Sequence, residues 1–239
     1  MNLLAFETAT EALSVALLID GQVHERFELA PRRHAELALP WADELLAQAG
    51  IARSQLDAIA VGRGPGAFTG VRLAIAVVQG IAMALDRPVV PVSTLAVLAM
   101  RAELLPHAGA SRHVLAAIDA RMGEVYSAAF ELRDGDAHAL SPESVRAPDQ
   151  VELLDSPAAG WFGVGTGFGA ADGALAQRLG DRMVAFDATQ LPHAADVARL
   201  AAHAFARGEA VAPERVEPAY LRNNVALTIR EQQALRDSR

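Results

Sequence analysis

Residues 62–80 read GRGPGAFTGVRLAIAVVQG, and their reading decides the fold. A short apolar run, Ala58–Val61, leads into a turn built of glycines and Pro65, and the turn launches an apolar helix at Val71–Leu85. Glycine admits positive φ and close backbone approach, and proline stiffens the turn. Thr69 reads as the cap of the helix. A strand–turn–helix of this kind offers backbone N–H groups and the positive end of a helix dipole to an anion. The lysine of a phosphate-gripping P-loop is absent. The stretch therefore implies nucleotide-binding ancestry without phosphotransfer chemistry.

Upstream, Asn2–Phe6, Leu13–Ile19 and Gln22–Leu29 read as three antiparallel strands, the last two joined by the hairpin signal Asp20-Gly21. His34–Gln48 has helical periodicity, encloses Pro40 and stops at Gly50. Asp57–Val61 and Pro88–Val92 read as further strands, and Ser93 caps a helix running to about Leu104. Three strands followed by alternating helix and strand make an α/β unit of the ribonuclease H type. After a boundary at Pro106–Arg112 the pattern restarts. Val114–Asp119 and Glu124–Arg133 read as strands around a turn, Asp149–Leu154 as a short helix and Trp161–Gly165 as a strand. Gly163–Gly169 is a second glycine-rich turn, followed by helices at Ala170–Leu179 and Ala194–Arg207. The expectation is two ribonuclease H-like lobes, 1–105 and 106–217, and a tail over 218–239. Within the tail Tyr220-Leu221-Arg222 reads as a docking element, and Asn223–Arg239 as a weak helix or partly disordered.

Composition narrows the function. The 239 residues are 52% hydrophobic and 21% charged, as in a globular chain. A net charge of −8 argues against a protein that grips nucleic acid alone, because phosphate contacts dominate such binding. A chain without cysteine has no disulfides, thiolate catalysis or Cys-ligated zinc. The N-terminus lacks a basic segment, and no uninterrupted apolar run approaches the roughly 18 residues that span a bilayer. The expectation is a soluble cytoplasmic protein without membrane contact.

Several constellations carry chemistry at this level. Glu7–Thr10, ETAT, reads either as a phosphate-approaching hairpin with an acidic residue or as a plain strand turn with exposed hydroxyls. The helix Val71–Leu85 has no polar face, so it is buried in its lobe or covered by another subunit. His34 reads as a metal ligand, a base, or a capping or interface residue beside Arg32 and Arg33; Ala38 stands where a helical metal pair would place its partner. IDARMGEVY, Ile118–Tyr126, reads as a catalytic acid, Asp119, oriented by Arg121, or as a local salt-bridge turn. The spacing yields neither a Ser/His/Asp arrangement nor a metal site, so no catalytic and no metal-binding residue is assigned.

Five segments together resemble one family. LAFETAT with Glu7-Thr8, His34-Ala35-Glu36 before Leu39-Pro40, GPGAFTGVR at Gly64–Arg72, IDARMGEVY, and PAYLR at Pro218–Arg222 are similar, in this order and across essentially the whole chain, to the TsaB (YeaZ) family. The resemblance implies an actin/Hsp70-like two-lobed fold and a place in bacterial tRNA threonylcarbamoyladenosine synthesis. It implies a non-catalytic scaffold that pairs with TsaD, the paralogue transferring threonylcarbamoyl to the adenosine beside the anticodon of tRNAs reading ANN codons. It further implies a homodimer when alone, association with the ATPase TsaE, and tRNA contact only through the complex. This subunit would need no cofactor, with ADP or ATP at the complex interface. Glu7, Thr8, Gly64, Gly66, Thr69 and Gly70 would form a vestigial nucleotide site, and Val71, Arg72, Ala74, Ile75, Val78 and Ala82 the partner interface. Ala9 and Ala67 stand where serine is common in the family, which weakens phosphate binding by either loop. Two alternatives stay open: a glycoprotease-type metallopeptidase, and a homodimeric regulator binding nucleotide through Gly64–Gly70.

Overall fold

The computed structural model describes residues 1–106, 111–155 and 160–222. The first sheet comprises β1 (Asn2–Glu7), β2 (Ala12–Ile19), β3 (Gln22–Leu29), β4 (Ala58–Gly62) and β5 (Val89–Val92), in the order β3-β2-β1-β4-β5. β1–β2 and β2–β3 are antiparallel, whereas β1–β4 and β4–β5 are parallel. The second sheet comprises β6 (Ser111–Arg121), β7 (Glu124–Arg133), β8 (Asp136–Ala139), β10 (Trp161–Val164) and β11 (Met183–Asp187), with β9 (Ser144–Arg146) also paired to β7. Its order, β8-β7-β6-β10-β11, and its pairing senses repeat those of the first sheet. The duplication inferred from pattern is therefore present as topology.

The strands of each sheet sort their side chains by parity. In the first sheet Leu4, Phe6, Val15, Leu17, Ile59 and Val61 face outward, under helices α1 (His34–Ala49) and α2 (Phe68–Leu85). On the inner face stand smaller side chains, Ala5, Ala16, Ala58 and Ala60. They admit two helices, α3 (Thr94–Met100) and α5 (Ala194–Ala206), into one core shared with Val114, Ala116, Phe130 and Phe162 of the second sheet. The second sheet's other face, with Leu115, Ala129 and Trp161, is covered by α4 (Ala170–Leu179). The two inner helices are exchanged. α3 follows the first sheet in sequence and packs on β6–β8; α5 follows the second and packs on β1, β2, β4 and β5. A helix inside 106–217 thus belongs, by packing, to the first sheet.

Local differences from the sequence reading have simple causes. β8, β9 and β11 were not legible, because they are three to five residues long and, in β11, only partly covered. Only a single 3₁₀ turn, Pro148–Gln150, forms near the helix expected at Asp149–Leu154. Ser93 does cap α3, accepting the Ala96 N–H at 3.2 Å. Thr69 does not cap α2: the helix starts at Phe68, Ala67 is the cap residue, and Thr69 lies in the first turn. Pro40 sits inside α1. The weak helix expected over Asn223–Arg239 lies outside the described residues.

Candidate functional site

The glycine-rich loop after β4 does not stand open. It lies against the hairpin turn between β1 and β2, backbone on backbone. Ala67 N–H donates to the Ala9 carbonyl at 2.7 Å, and the Thr8 hydroxyl donates to the Gly70 carbonyl at 2.6 Å. A Cβ on Gly66 would come 2.4 Å from the Ala9 oxygen, and one on Gly70 would come 2.0 Å from the Thr8 oxygen. Both distances are far below any van der Waals contact. These two glycines are thus required by close packing, while Gly64, at φ +92°, is required by its left-handed turn.

Glu7 ties the same elements from below. Its carboxylate accepts the Ala9 N–H at 2.7 Å and the Thr94 hydroxyl at 3.1 Å, and that hydroxyl oxygen accepts the Gly64 N–H at 3.1 Å. Gly62 passes so near that a Cβ there would sit 1.9 Å from Glu7 Oε2. The structure therefore gathers Glu7, Thr8, Gly64, Gly66 and Gly70 into one knot, with Thr69 exposed beside it. Glu7 and Thr8 are each 1% exposed and spend their polar atoms on protein partners. Sequence reasoning missed Thr94, the residue joining the knot to α3.

Burial pushes the Glu7 carboxyl up to about 7, against the lowering effect of its hydrogen bonds to Ala9 and Thr94. The folded chain thus holds this proton more tightly than the unfolded chain, and stability falls as pH rises from 4.5 toward 7. Glu7→Gln removes the charge and keeps an amide oxygen for the Ala9 N–H. We expect it to gain on the parent chain across that interval, reaching about 3 kcal/mol at pH 8. Urea unfolding of both chains between pH 5 and 8 checks this, and a constant difference across that range would refute it.

The partner surface assigned from sequence requires correction. Val71, Ala74, Ile75, Val78 and Ala82 face the core of the first lobe, with Val78 and Ala82 completely enclosed. Only Arg72 of that set stays partly accessible. α2 nevertheless has a second apolar face. Ala76, Gly80, Met83 and Ala84 are exposed and Val77 is half-buried. Ala76, Val77, Gly80 and Ala84 of this face, with Leu39, Ala42 and Leu46 of α1, line a mostly apolar groove of about 490 Å³ that also includes the ion-paired Asp43 and Arg53. The core covers only one side of this helix. At 18 residues and a mean hydropathy of 1.8, α2 is also long and apolar enough to cross a bilayer, a point missed by counting uninterrupted runs. Its inner stripe is built into the first lobe's core.

Between the lobes lies a cavity of about 760 Å³. The segment Pro218–Arg222 runs along it and ties both lobes. Ala219 N–H donates to the Arg63 carbonyl at 2.9 Å, and Arg72 donates to the Tyr220 phenol at 2.6 Å while its guanidinium lies over the Phe68 ring. Arg222 bonds the Ala120 carbonyl and pairs with Glu124. Arg63, in turn, pairs with Glu143 of the second lobe, whose carboxylate also accepts the Ser93 hydroxyl. Tyr220-Leu221-Arg222 is thus an internal strap, and Glu143 had no sequence signal. Asp119 is engaged by the Arg121 side chain at 3.0 Å and backbone N–H at 2.8 Å, a turn network and not a poised acid. No group of three His, Asp or Glu among the described residues is placed to hold a metal.

Two repeated α/β lobes enclosing a cleft, with the phosphate-loop positions closed and an apolar groove on the outside, define a two-lobed protein of the actin-like class. The family model for TsaD, tRNA N6-adenosine threonylcarbamoyltransferase, matches residues 19–229. The tRNA threonylcarbamoyladenosine biosynthesis protein TsaB of Escherichia coli is 43% identical over 95% of this chain and 96% of its own length. Its namesake in Haemophilus influenzae is 38% identical over 94% and 95%. A solved structure described as YeaZ from Pseudomonas aeruginosa is 49% identical, with a TM-score of 0.81 over 92% of this chain and 99% of that one. The chain belongs to the TsaB family.

Proposed function

We propose that this chain is a non-catalytic subunit of the bacterial tRNA threonylcarbamoyladenosine synthase, pairing with and activating a TsaD-type catalytic paralogue. That paralogue transfers threonylcarbamoyl from threonylcarbamoyl-AMP to the adenosine next to the anticodon. The observation that carries the reading is the outer face of α2. Gly80, Met83 and Ala84 present exposed apolar surface beside the α1 groove, on a helix whose other side already fills the core. Burial of such a face drives association, and the small residues Ala76, Gly80 and Ala84 let a partner helix approach closely. In the absence of that paralogue the same face pairs two copies of this chain. A TsaE-type ATPase joins the complex, tRNA reaches this subunit only through it, and ADP or ATP binds at the complex interface. The names of the relatives support a place in tRNA threonylcarbamoyladenosine biosynthesis, and the closed Glu7–Gly70 knot supports a role outside the chemistry. The chain, with its two lobes 1–105 and 106–217, works in this reading in the cytoplasm.

Reconstitution tests it. A TsaD-type protein, a TsaE-type ATPase, threonylcarbamoyl-AMP and unmodified tRNA are combined with and without this chain. Modified adenosine is expected only with it. Equal modification in its absence, or turnover by this chain alone, would overturn the reading.

A further inference from the structure

Each of the two exchanged helices is met at its N-terminus by a glutamate from the lobe it packs on. For α5 that glutamate is Glu25 of β3, at the edge of the first sheet. Its carboxylate accepts the Ala195 N–H at 3.0 Å and the Ser14 hydroxyl at 2.6 Å, and the Ser14 oxygen accepts the Ala194 N–H at 2.9 Å. His193, the cap residue of α5, places Nδ1 3.0 Å from the other carboxylate oxygen, and its ring stacks on Phe27 with centroids 4.0 Å apart. For α3 the glutamate is Glu143, which follows β8 at the edge of the second sheet. It accepts the hydroxyl of Ser93, whose oxygen accepts the Ala96 N–H, and its other oxygen pairs with Arg63 of the first lobe at 3.2 Å.

We infer that Glu25 and Glu143 form a reciprocal clasp that sets the separation of the two lobes. One device is used twice: a serine hydroxyl stands between the glutamate and the first free N–H groups of a helix, and a second side chain, His193 or Arg63, holds the other carboxylate oxygen. A carboxylate beside those N–H groups is favoured by the helix dipole, and hydrogen bonds to a charged group are the stronger kind. The side chains are largely withdrawn from water, Glu25 at 21% exposure, His193 at 17%, Glu143 at 16% and Arg63 at 32%, so screening is weak. At its other end α5 is tied to the second sheet, where Arg207 pairs with Asp136 of β8 at 2.6 Å. Glu25 therefore fixes how far that helix carries the second lobe from the first. Arg63 joins the clasp to the strap, since its guanidinium holds Glu143 while its carbonyl accepts the Ala219 N–H. The inference concerns the chain alone and does not rest on the pairing with a catalytic paralogue.

Double electron–electron resonance between one label on each lobe reads the clasp. The chain has no cysteine, so Ala47→Cys on α1 and Gln177→Cys on α4, both at exposed positions, take nitroxide labels at those two places alone. The full chain so labelled is expected to give one narrow distance distribution. Glu25→Ala combined with Glu143→Ala should broaden it by about twofold or more, with each single variant in between. Glu28→Ala, on the same strand as Glu25, removes a carboxylate paired with Arg33 inside the first lobe and should leave the distribution unchanged. Circular dichroism reports which variants are folded. If the alanine pair does not fold, Glu25→Gln with Glu143→Gln keeps an acceptor oxygen at each place and should broaden the distribution measurably but less. A folded, doubly substituted chain with a distribution as narrow as the parent's overturns the inference. So does a parent distribution already as broad as the double variant's, or a Glu28→Ala chain that broadens as much.

Discussion

Val78→Glu is expected to unfold the chain, whereas Ala76→Glu, two residues earlier on the same helix, is expected to leave it folded and to abolish partner binding. Val78 is fully enclosed among the side chains of β1, β4 and α2. A carboxylate there finds no cation and must be buried unpaired or protonated, and the valine's apolar contacts are lost as well. The combined penalty is on the order of 5 kcal/mol, comparable with the entire stability of a small domain. Ala76 is exposed in the groove between α1 and α2. Glutamate there keeps its water in the isolated chain and loses it only when a partner covers the groove. Denaturant midpoints and co-elution with a TsaD-type partner read the two effects separately. An Ala76→Glu chain that still co-elutes with the partner would remove this face from the interface. A folded Val78→Glu chain would contradict the core as described.

The contrast shows where sequence reading stopped. The succession of elements in the first lobe and the duplication were legible because they rest on periodic segments and on glycine punctuation, such as Asp20-Gly21 and the loop at Gly62–Gly70. The lack of a polar face on α2 was also legible, and it left two readings open, burial in the lobe or cover by another subunit. Which residues faced which side was not. Val71, Ala74, Ile75, Val78 and Ala82 and the outer set Ala76, Gly80 and Ala84 are chemically alike, so hydrophobicity cannot separate them. Only the placement of α2 over Leu4, Phe6, Ile59 and Val61 does so. The knot was half-legible for a similar reason. ETAT and GPGAFTG each carried a signal, but a turn that cradles an anion and a turn that cradles another turn need the same glycines. Thr94 and Glu143 join the parts across 87 and 50 residues of chain, to Glu7 and to Ser93, and no local pattern announces such pairs. The exchange of α3 and α5 between sheets was hidden because nothing in a helix's own periodicity names the sheet it will cover.

Gly70→Ala is the sharpest test of that knot, because the sign of its effect depends on it. Gly70 is the third residue of α2, and glycine inside a helix is disfavoured against alanine by about 1 kcal/mol. Propensity alone therefore expects a more stable chain. The structure reverses this. The new Cβ would stand 2.0 Å from the Thr8 carbonyl oxygen, and it meets backbone, which cannot rotate away as a side chain can. The β1–β2 turn must separate from the helix, and the 2.6 Å bond from the Thr8 hydroxyl to the Gly70 carbonyl lengthens or breaks. We expect a net loss of about 3 kcal/mol. Gly80, ten residues on, provides the opposite case within one helix. A Cβ there meets nothing within 4 Å, so Gly80→Ala should raise stability by up to about 1 kcal/mol. Paired urea denaturation of the two variants decides the matter: shifts of the same sign would mean that the loop and the hairpin turn are not packed as described, and opposite signs would establish that the glycine run serves contact between backbones.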